Sequence, residues 1–364
     1  MLERLWKKIL RRTPYSLWDI PAFLLWLCSF VYRLLFRIHR MMAGEPERVS
    51  VPVLSIGNIT VGGTGKTPLV SFIARDMLHS GVRVGVVSSG YGRTGEGSFV
   101  EPGYKVEKMD IAVTGDEVML LAQLLPDAVF SIDRTKLEAA KRLAASGTVD
   151  MIIIDDGFQH IGLARDIDLV AYDAGIKKRH LKSFPYGLLR EPKSALSRAD
   201  VIIVTRAKFA FDINAIKRDL RQVAPNADLY HAGFVCENVV GKDQTRPVKY
   251  LEDKSVFLFA GVGNFRSLRR QVSALSGDLD CALELSDHQV YDDAELTRIR
   301  QIVEDHDSDV ILTTFKDWVK LGDFDFGREI CYLDLSVDLD PGEEKLAAYV
   351  RQTLGLDGQE EVEI

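Results

Sequence analysis

One stretch of the sequence combines the residue types that bind phosphate groups. Residues 60–67 read Thr-Val-Gly-Gly-Thr-Gly-Lys-Thr and follow an apolar run that ends at Ile56. Glycines let backbone N–H groups close around phosphate oxygens, the lysine reaches the β- and γ-phosphates, and the final threonine hydroxyl suits Mg²⁺. Thr60 stands where the GxxxxGK[ST] pattern has its first glycine. The pattern predicts a P-loop whose nucleotide-binding residues are Val61, Gly62, Gly63, Thr64, Gly65, Lys66, Thr67 and Pro68.

Two adjacent acids follow a second apolar run. Met151–Ile154 lead directly into Asp155 and Asp156. Two carboxylates at the end of a buried strand are costly unless a cation neutralises them, and P-loop enzymes use such an acid to hold Mg²⁺. The sequence therefore predicts a magnesium site formed with Thr67, and it leaves open which of the two acids binds the ion directly. The alternative is a solvated acidic turn.

The same motifs favour ATP over GTP. Guanine-binding P-loop proteins carry an Asn/Thr-Lys-x-Asp motif after a later strand, and residues 204–208 and 314–317 both lack that spacing. The dimeric ATPases with a Lys-Gly-Gly-x-Gly-Lys-Thr loop carry an extra lysine where Val61 stands here. The absence of that lysine argues against the dimeric ATPase class.

The elements that must position these residues are short apolar runs alternating with helical stretches. The runs are Val53–Ile56, Val82–Val87, Met151–Ile154, Leu169–Tyr172, Val201–Val204, Val256–Phe259 and Val310–Thr313. Helical spacing covers Leu69–Ser80, Glu117–Leu125, Thr135–Ser146, Asp212–Val223 and Asp292–Glu304. Continuous apolar runs indicate strands that are buried on both faces. We expect an α/β fold with a P-loop-containing doubly wound parallel sheet, a smaller second α/β domain and an N-terminal membrane-associated helix.

The predicted organisation has three parts. We expect residues 1–48 to form a basic, aromatic-rich, membrane-associating helical segment, residues 49–225 a P-loop domain, and residues 226–364 a smaller α/β domain. The boundary between the two domains is placed in the turn-rich stretch 209–254. No internal repeat is apparent.

Charge is distributed unevenly along the 364 residues. Residues 1–40 contain eight Lys or Arg against two acidic residues, which leaves −13 on the rest of a chain whose net charge is −7. Three of the four tryptophans lie in the same segment. A basic, aromatic head on an acidic body is typical of a protein that contacts an anionic membrane surface. The net charge of −7 argues against a general nucleic-acid-binding surface.

The apolar part of this head is short for a membrane span. Ile20–Tyr32 are 13 uncharged residues, whereas a spanning helix needs about 20 apolar residues. We expect a helix from Pro21 to Met42 that lies in the membrane interface with its arginines toward the headgroups. A helix packed in the core of the domain and a true transmembrane span are the alternatives.

Composition excludes other classes. Hydrophobic residues make up 46% and charged residues 27% of the chain, so disorder is not its main state. The four cysteines have no CxxC spacing, which excludes a disulfide scaffold and the usual zinc ribbons.

Eight segments, in order along the chain, together resemble the tetraacyldisaccharide 4′-kinase family of Gram-negative bacteria. They are Gly57–Pro68, Gly90–Arg93, Gly115–Glu117, Asp155–His160, Gly187–Pro192, Gly261–Asn264, Asp287–His288 and Thr314–Asp317. Ser89 replaces a usual arginine, and Val118 replaces the proline expected after Gly-Asp-Glu. Because both departures are close to the expected site, they bear on substrate fit rather than on reaction type.

The resemblance implies transfer of the ATP γ-phosphate to the 4′-hydroxyl of tetraacyldisaccharide 1-phosphate, a lipid A precursor. It also implies that Asp116 is the base and that His288 pairs with it. On sequence alone, Asp116 is equally well read as the N-cap of a helix. Lys66 is expected to stabilise charge on the transferred phosphoryl group. Weaker candidates for lining the site are Tyr91, Arg93, His160 and Glu191.

The expected setting is the cytoplasmic face of the inner membrane, with monotopic attachment through the N-terminal helix and no obligate protein partner. Two other functions use the same P-loop. One is an ATPase or GTPase switch that acts on a protein partner, which predicts nucleotide hydrolysis without lipid. The other is a nucleotide-binding membrane scaffold without chemistry, in which Asp116 and His288 have no role.

Overall fold

A computed structural model gives the fold and describes residues 2–10, 12, 16–88, 93, 97–286 and 289–356. Thirteen strands of the described residues form one sheet. They are β1 (Val53–Gly57), β2 (Val84–Val87), β3 (Phe99–Pro102), β4 (Val129–Ile132), β5 (Met151–Asp155), β6 (Ile167–Asp173), β7 (Val201–Thr205), β8 (Asp228–Gly241), β9 (Thr245–Pro247), β10 (Ser255–Ala260), β11 (Asp278–Glu284), β12 (Val310–Thr314) and β13 (Ile330–Asp340). Their order across the sheet is β11-β10-β12-β13-β8-β7-β6-β1-β5-β2-β4-β3, and β9 pairs with β8.

Helices connect most of the strands. Within the described residues they are α1 (Leu2–Leu10), α2 (Asp19–Met42), α3 (Lys66–His79), α4 (Gly103–Val106), α5 (Ile111–Thr114), α6 (Asp116–Leu124), α7 (Lys136–Ala145), α8 (Ile213–Val223), α9 (Phe265–Leu275), α10 (Asp293–Glu304), α11 (Phe315–Trp318) and α12 (Glu343–Leu354). All seven predicted strands and all five predicted helices are present, within a few residues of the expected bounds.

Several helices begin where the sequence provides a capping side chain. The Thr135 hydroxyl accepts a hydrogen bond from the backbone N–H of Glu138 at 3.1 Å. Asp212 and Asp292 cap α8 and α10 in the same way. Each cap satisfies an N–H that has no partner inside the helix, which contributes about 1 kcal/mol.

The P-loop half of the sheet is parallel except at its edge. β1 lies between β5 and β6, and all five of its residues are buried. Ile56 pairs in register with Asp155, so the P-loop and the acidic pair leave the sheet side by side. The buried face of α3 packs on this sheet through Leu69, Val70 and Ile73. Burying such a side chain contributes about 1.5–3 kcal/mol, so this packing holds α3 against the sheet.

One long strand joins the two halves of the sheet. β8 pairs in parallel with β7 on one side and antiparallel with β13 on the other. It lies inside the stretch 209–254, in which the sequence analysis places a domain boundary. Val350 and Leu354 of α12 return to the core that also contains the buried face of α3. Hydrogen bonding and packing thus continue across residue 225, and the division into two domains stays a prediction.

The expected N-terminal helix is present as α2, and its apolar side chains face outward. Ile20, Val31 and Leu35 are between 58% and 71% exposed, and the buried residues of the helix are Ala22 and Ser29. A helix packed in the core would bury such residues, so the core alternative does not describe α2. Among the described helices, α2 is the one whose 24 residues and apolar composition suffice to cross a bilayer. The helix is therefore compatible with membrane association.

Candidate active site

The P-loop connects β1 to α3 in a conformation that depends on glycine. Gly62 has φ +107° and Gly65 has φ +89°, a region that costs other residues about 1–2 kcal/mol. A Cβ on Gly65 would also lie 2.4 Å from Cζ of Phe234. Lys66 and Thr67 then form the first turn of α3, where unpaired N–H groups and the helix dipole favour an anion. The described backbone thus has the form of a phosphate cradle.

Side chains beneath the loop fix its shape. The Asn58 side-chain amide donates to the Thr64 hydroxyl at 3.0 Å, and the Thr205 hydroxyl donates to the Thr64 carbonyl oxygen at 3.0 Å. The Arg206 guanidinium donates to the Gly63 carbonyl oxygen at 2.9 Å. Because Thr205 and Arg206 bind two carbonyl oxygens of the loop, these oxygens point away from the phosphate side. The loop N–H groups are then free to bind a phosphate.

Asp156 directly follows β5 and lies between two cationic side chains. Lys66 Nζ is 3.4 Å from its Oδ1, and Arg190 Nη1 donates to its Oδ2 at 2.7 Å. Burial acts against the charged form, but the charges of Lys66 and Arg190 outweigh it and hold the pKa of Asp156 at about 2. Its backbone has φ +50°, an uncommon value for aspartate. The fold thus brings the P-loop lysine into contact with the second acid of the pair, a contact that the sequence analysis did not predict.

Asp155 is in the opposite electrostatic situation. Its side chain is buried, and burial followed by the nearby charge of Glu117 raises its pKa to about 7. Its Oδ1 is a buried oxygen without a hydrogen-bond partner among the described residues. An unpaired buried carboxylate oxygen is costly unless a proton or a cation is supplied.

The acidic pair is also in contact with a half-buried lysine that the sequence analysis did not identify. Lys136 Nζ donates to the carbonyl oxygen of Asp155 at 2.5 Å and to that of Asp156 at 2.6 Å. Burial lowers the pKa of Lys136. Nothing in its local pattern distinguishes it from the exposed lysines of a helix N-terminus, so only the fold identifies its role. The influence of Glu117 on the pKa of Asp155 was likewise not predicted, because only the fold brings the two acids together.

The acidic pair offers oxygen ligands of the kind that Mg²⁺ takes. No group of three or more His, Cys, Asp or Glu side chains suited to hold a metal occurs in the described parts of the chain. In P-loop proteins the hydroxyl of the loop, phosphate oxygens and water complete the coordination of Mg²⁺. The unpaired Oδ1 of Asp155 provides the kind of hard oxygen ligand that such an ion takes.

Asp116 is the first residue of α6, after Gly115 at φ +80°. Its carboxylate contacts Nζ of Lys320, a residue that follows β12 and α11. The expected partner, His288, lies outside the described residues, and so does Tyr91. The pairing of Asp116 with His288 therefore stays a prediction, whereas its contact with Lys320 is a feature that the sequence did not indicate.

The weaker candidates have different environments. His160 is half-buried, and burial together with the charges of Lys136 and Arg165 lowers its pKa, which indicates a position near the acidic pair. Arg93 donates to the carbonyl oxygen of Gly97 at 2.7 Å, a contact within its own loop. Neither observation tests a role in substrate binding.

Glu191 is a buried ion-pair centre. Its carboxylate accepts from Arg198 Nη2 at 3.0 Å, from Gln159 Nε2 at 3.2 Å and from Arg40 Nη1 at 3.4 Å. The same Gln159 nitrogen donates to the Asn58 carbonyl oxygen at 2.7 Å, next to the P-loop. These contacts give Glu191 a structural task between α2 and the nucleotide site, and a lining role for it stays a prediction.

Comparison with known proteins identifies the family of this chain. The sequence model of one family, described as LpxK, tetraacyldisaccharide-1-P 4′-kinase, matches residues 21–355. The chain belongs to this family. A tetraacyldisaccharide 4′-kinase of Halothermothrix orenii is 31% identical over 93% of this chain and 92% of its own length. Another, of Geobacter metallireducens, is 34% identical over 82% of this chain and 88% of its own.

A solved structure extends the likeness to the fold. The crystal structure of the LpxK protein of Aquifex aeolicus, described as an "apo" form in complex with ATP, is 25% identical and superposes with a TM-score of 0.69. The match covers 90% of this chain and 97% of that protein. Membership in the 4′-kinase family makes this chain a kinase rather than a switch protein or a scaffold, and it confirms the resemblance and the P-loop α/β fold.

Proposed function

We propose that this chain transfers the γ-phosphoryl group of ATP to the 4′-hydroxyl of a tetraacyldisaccharide 1-phosphate, giving the 4′-phosphorylated lipid A precursor. The observation that carries the proposal is the contact of Lys66 with Asp156 beside a glycine-dependent phosphate cradle, in a chain of the 4′-kinase family. That arrangement suits charge stabilisation in phosphoryl transfer, where positioning and electrostatics supply most of the rate.

The residues would divide the reaction as follows. The Asp116 carboxylate accepts the proton of the 4′-hydroxyl while that oxygen forms a bond to the γ-phosphorus. The bond between the γ-phosphorus and the β,γ-bridging oxygen breaks, and ADP leaves with the electron pair. Lys66 stabilises the charge on the transferred group. His288 is proposed to orient Asp116, and Tyr91, Arg93 and His160 are proposed to line the acceptor side.

Thr67, Asp155 and Asp156 are the residues that would hold Mg²⁺. The ion would supply charge neutralisation at the β- and γ-phosphate oxygens. The high pKa of Asp155 and the unpaired state of its Oδ1 support this assignment, because a cation can take the position that a proton otherwise fills.

The acceptor lipid explains the exposed helix. Acyl chains stay in the bilayer while ATP is soluble, so the reaction needs a nucleotide site held close to a membrane surface. The exposed apolar side chains of α2 and the +6 charge of residues 1–40 support monotopic attachment to the anionic cytoplasmic face of the inner membrane. No nucleic acid and no obligate protein partner enter this proposal.

The test is transfer of labelled γ-phosphate from ATP to tetraacyldisaccharide 1-phosphate in detergent micelles. We expect the wild-type protein to label the lipid, Asp116→Ala to lose about 10²–10⁴-fold in rate, and Lys66→Met to lose a comparable amount. Asp243→Ala is the matched control, because this acid lies exposed in the turn between β8 and β9. It should label lipid at the wild-type rate.

Two outcomes would contradict the proposal. If the wild-type protein hydrolyses ATP but does not label the lipid, the result favours an ATPase switch that acts on a protein partner. Unchanged lipid labelling by Asp116→Ala would leave the reaction intact but assign the base elsewhere.

A further inference from the structure

The described contacts of Asp116 include a nearly buried lysine that no part of the proposed reaction yet uses. Lys320 lies two residues beyond the end of α11, and its side chain is 7% exposed. Its Nζ contacts Oδ2 of Asp116 and is 3.4 Å from the carbonyl oxygen of Gln289. A lysine ammonium is seldom withdrawn this far from water without a charged partner. The pair is therefore a built feature of the fold rather than a chance surface contact.

We propose that Lys320 is a positioning residue for the catalytic base in addition to His288, holding the Asp116 carboxylate in its ionised form and in a fixed orientation toward the acceptor hydroxyl. This inference rests on the proposed function, because it takes Asp116 as the base. In this proposal Lys320 acts through Asp116, the residue that its ammonium contacts.

The position of Lys320 is itself fixed by a buried aspartate. Asp317, 1% exposed, accepts from the Thr314 hydroxyl at 2.6 Å, from the Gly261 N–H at 3.1 Å and from the Tyr291 hydroxyl at 2.9 Å. The Lys320 N–H in turn donates to the Asp317 carbonyl oxygen at 3.0 Å. This cluster connects the backbone around Lys320 to Gly261 and Tyr291. The backbone that carries the Lys320 ammonium is therefore held in place.

Charge and geometry both favour a functional pair. A nearby cation stabilises a carboxylate over its protonated form, and the low exposure of Lys320 keeps solvent from screening that effect. Asp116 is on α6 of the P-loop half, whereas Lys320 is on the half that contains β10 to β12. The base is thus oriented by a residue from across the sheet.

The test is a double-mutant cycle on lipid kinase activity. We expect Lys320→Met to lower kcat by about 10–100-fold, as loss of part of a 10²–10⁴-fold base contribution, with the KM for ATP changed less than about twofold. In an Asp116→Asn background, the same Lys320→Met substitution should change kcat by less than about twofold, because residues that act through one another are not additive. Lys320→Arg, which keeps the charge, should recover part of the lost rate.

Two controls separate this role from a structural one. Lys242→Met removes the lysine of an exposed pair with Asp323 and should leave kcat unchanged. Thermal unfolding and ATP binding of each variant show whether it is folded, and Lys320→Gln serves as a second variant if Lys320→Met unfolds.

Three results would overturn the inference. The first is an equal fold-loss of kcat from Lys320→Met in the wild-type and Asp116→Asn backgrounds. The second is a rise in the KM for ATP with kcat unchanged. The third is full activity of Lys320→Met. Failure of the proposed function itself is distinct, because wild type would then label no lipid at all.

Discussion

Arg40, on the apolar helix α2, forms an ion pair at 3.4 Å with Glu191, whose carboxylate has no exposed surface. Tyr32 of the same helix donates through its hydroxyl to the Arg190 carbonyl oxygen at 3.0 Å. The Arg190 side chain then reaches Asp156 in the nucleotide site. The helix that faces outward with its apolar residues is therefore connected to the acidic pair through two consecutive residues, 190 and 191.

Substitution of Glu191 should destabilise the protein much more than substitution of its exposed partner. Glu191→Gln leaves the half-buried Arg198 without its counter-charge, and breaking a buried pair from one side costs about 3–5 kcal/mol. Arg40 is 38% exposed, so Arg40→Gln should cost about 1 kcal/mol or less. Denaturant unfolding in detergent measures both values. Equal free energies of unfolding for the two variants would contradict the assignment of Glu191 as the centre of the network.

The P-loop glycines should differ sharply in tolerance. Gly65→Ala combines a positive φ with a 2.4 Å approach to Phe234 and should lower the free energy of unfolding by about 1–2 kcal/mol or more. Gly63 has neither a positive φ nor an atom within 4 Å of an added Cβ, so Gly63→Ala is the matched control and should stay within about 0.5 kcal/mol. Unfolding is measured without nucleotide, so that phosphate contacts do not enter. A Gly63→Ala loss as large as that of Gly65→Ala would be inconsistent with the loop conformation described.

The two adjacent acids should affect stability in opposite directions. The pKa of Asp155 is raised to about 7, so its protonation stabilises the fold at low pH, and that stability is lost as pH rises through about 7. The pKa of Asp156 is lowered to about 2, so its charge stabilises the fold at neutral pH, and that stability is lost as pH falls through about 2.

At pH 8 without Mg²⁺, Asp155→Asn should therefore raise Tm, and Asp156→Asn should lower it. Asp155→Asn should also weaken the pH dependence of Tm between about pH 4 and pH 7, and both variants should lose kinase activity. The measurement is Tm against pH for the two variants and the wild type. A lower Tm for Asp155→Asn at pH 8 would mean that this carboxylate is already paired in the nucleotide-free protein.

The exposed face of α2 should control membrane binding. Leu24 and Val31 are 56% and 58% exposed, and transfer of each side chain into a bilayer is worth about 1.5–3 kcal/mol. The double substitution Leu24→Asp and Val31→Asp should reduce partitioning into vesicles that contain anionic lipid by about 100-fold or more. Flotation with labelled protein measures the bound fraction.

Phe211→Ser is the control for that experiment. Phe211 is an apolar side chain that is fully exposed, outside α2, and its loss should leave flotation unchanged. Binding of the α2 variant at the wild-type level would show that another surface carries the attachment.

The sequence by itself determined the parts of this protein that depend on neighbouring residues. A glycine-rich turn after an apolar strand specifies a phosphate cradle because only certain backbone conformations expose N–H groups. Seven strands buried on both faces were predictable as continuous apolar runs. The family followed from eight short segments in order. β8 and β13 were not predicted, because their burial varies from residue to residue and their pairing joins positions about a hundred residues apart.

Only the tertiary structure decided which charges meet. Lys320 and Asp116 are 204 positions apart, and Arg40 and Glu191 are 151 apart. Lys136 has the sequence neighbourhood of an ordinary helix start, yet its ammonium donates hydrogen bonds to the carbonyl oxygens of both acids of the pair. The reason is physical: local pattern reports backbone preference and burial, whereas the partner of a charge is set by how strands and helices pack. The phosphate-binding chemistry of the P-loop can therefore be predicted from the sequence, whereas the charged residues that surround the loop are known only from the tertiary structure.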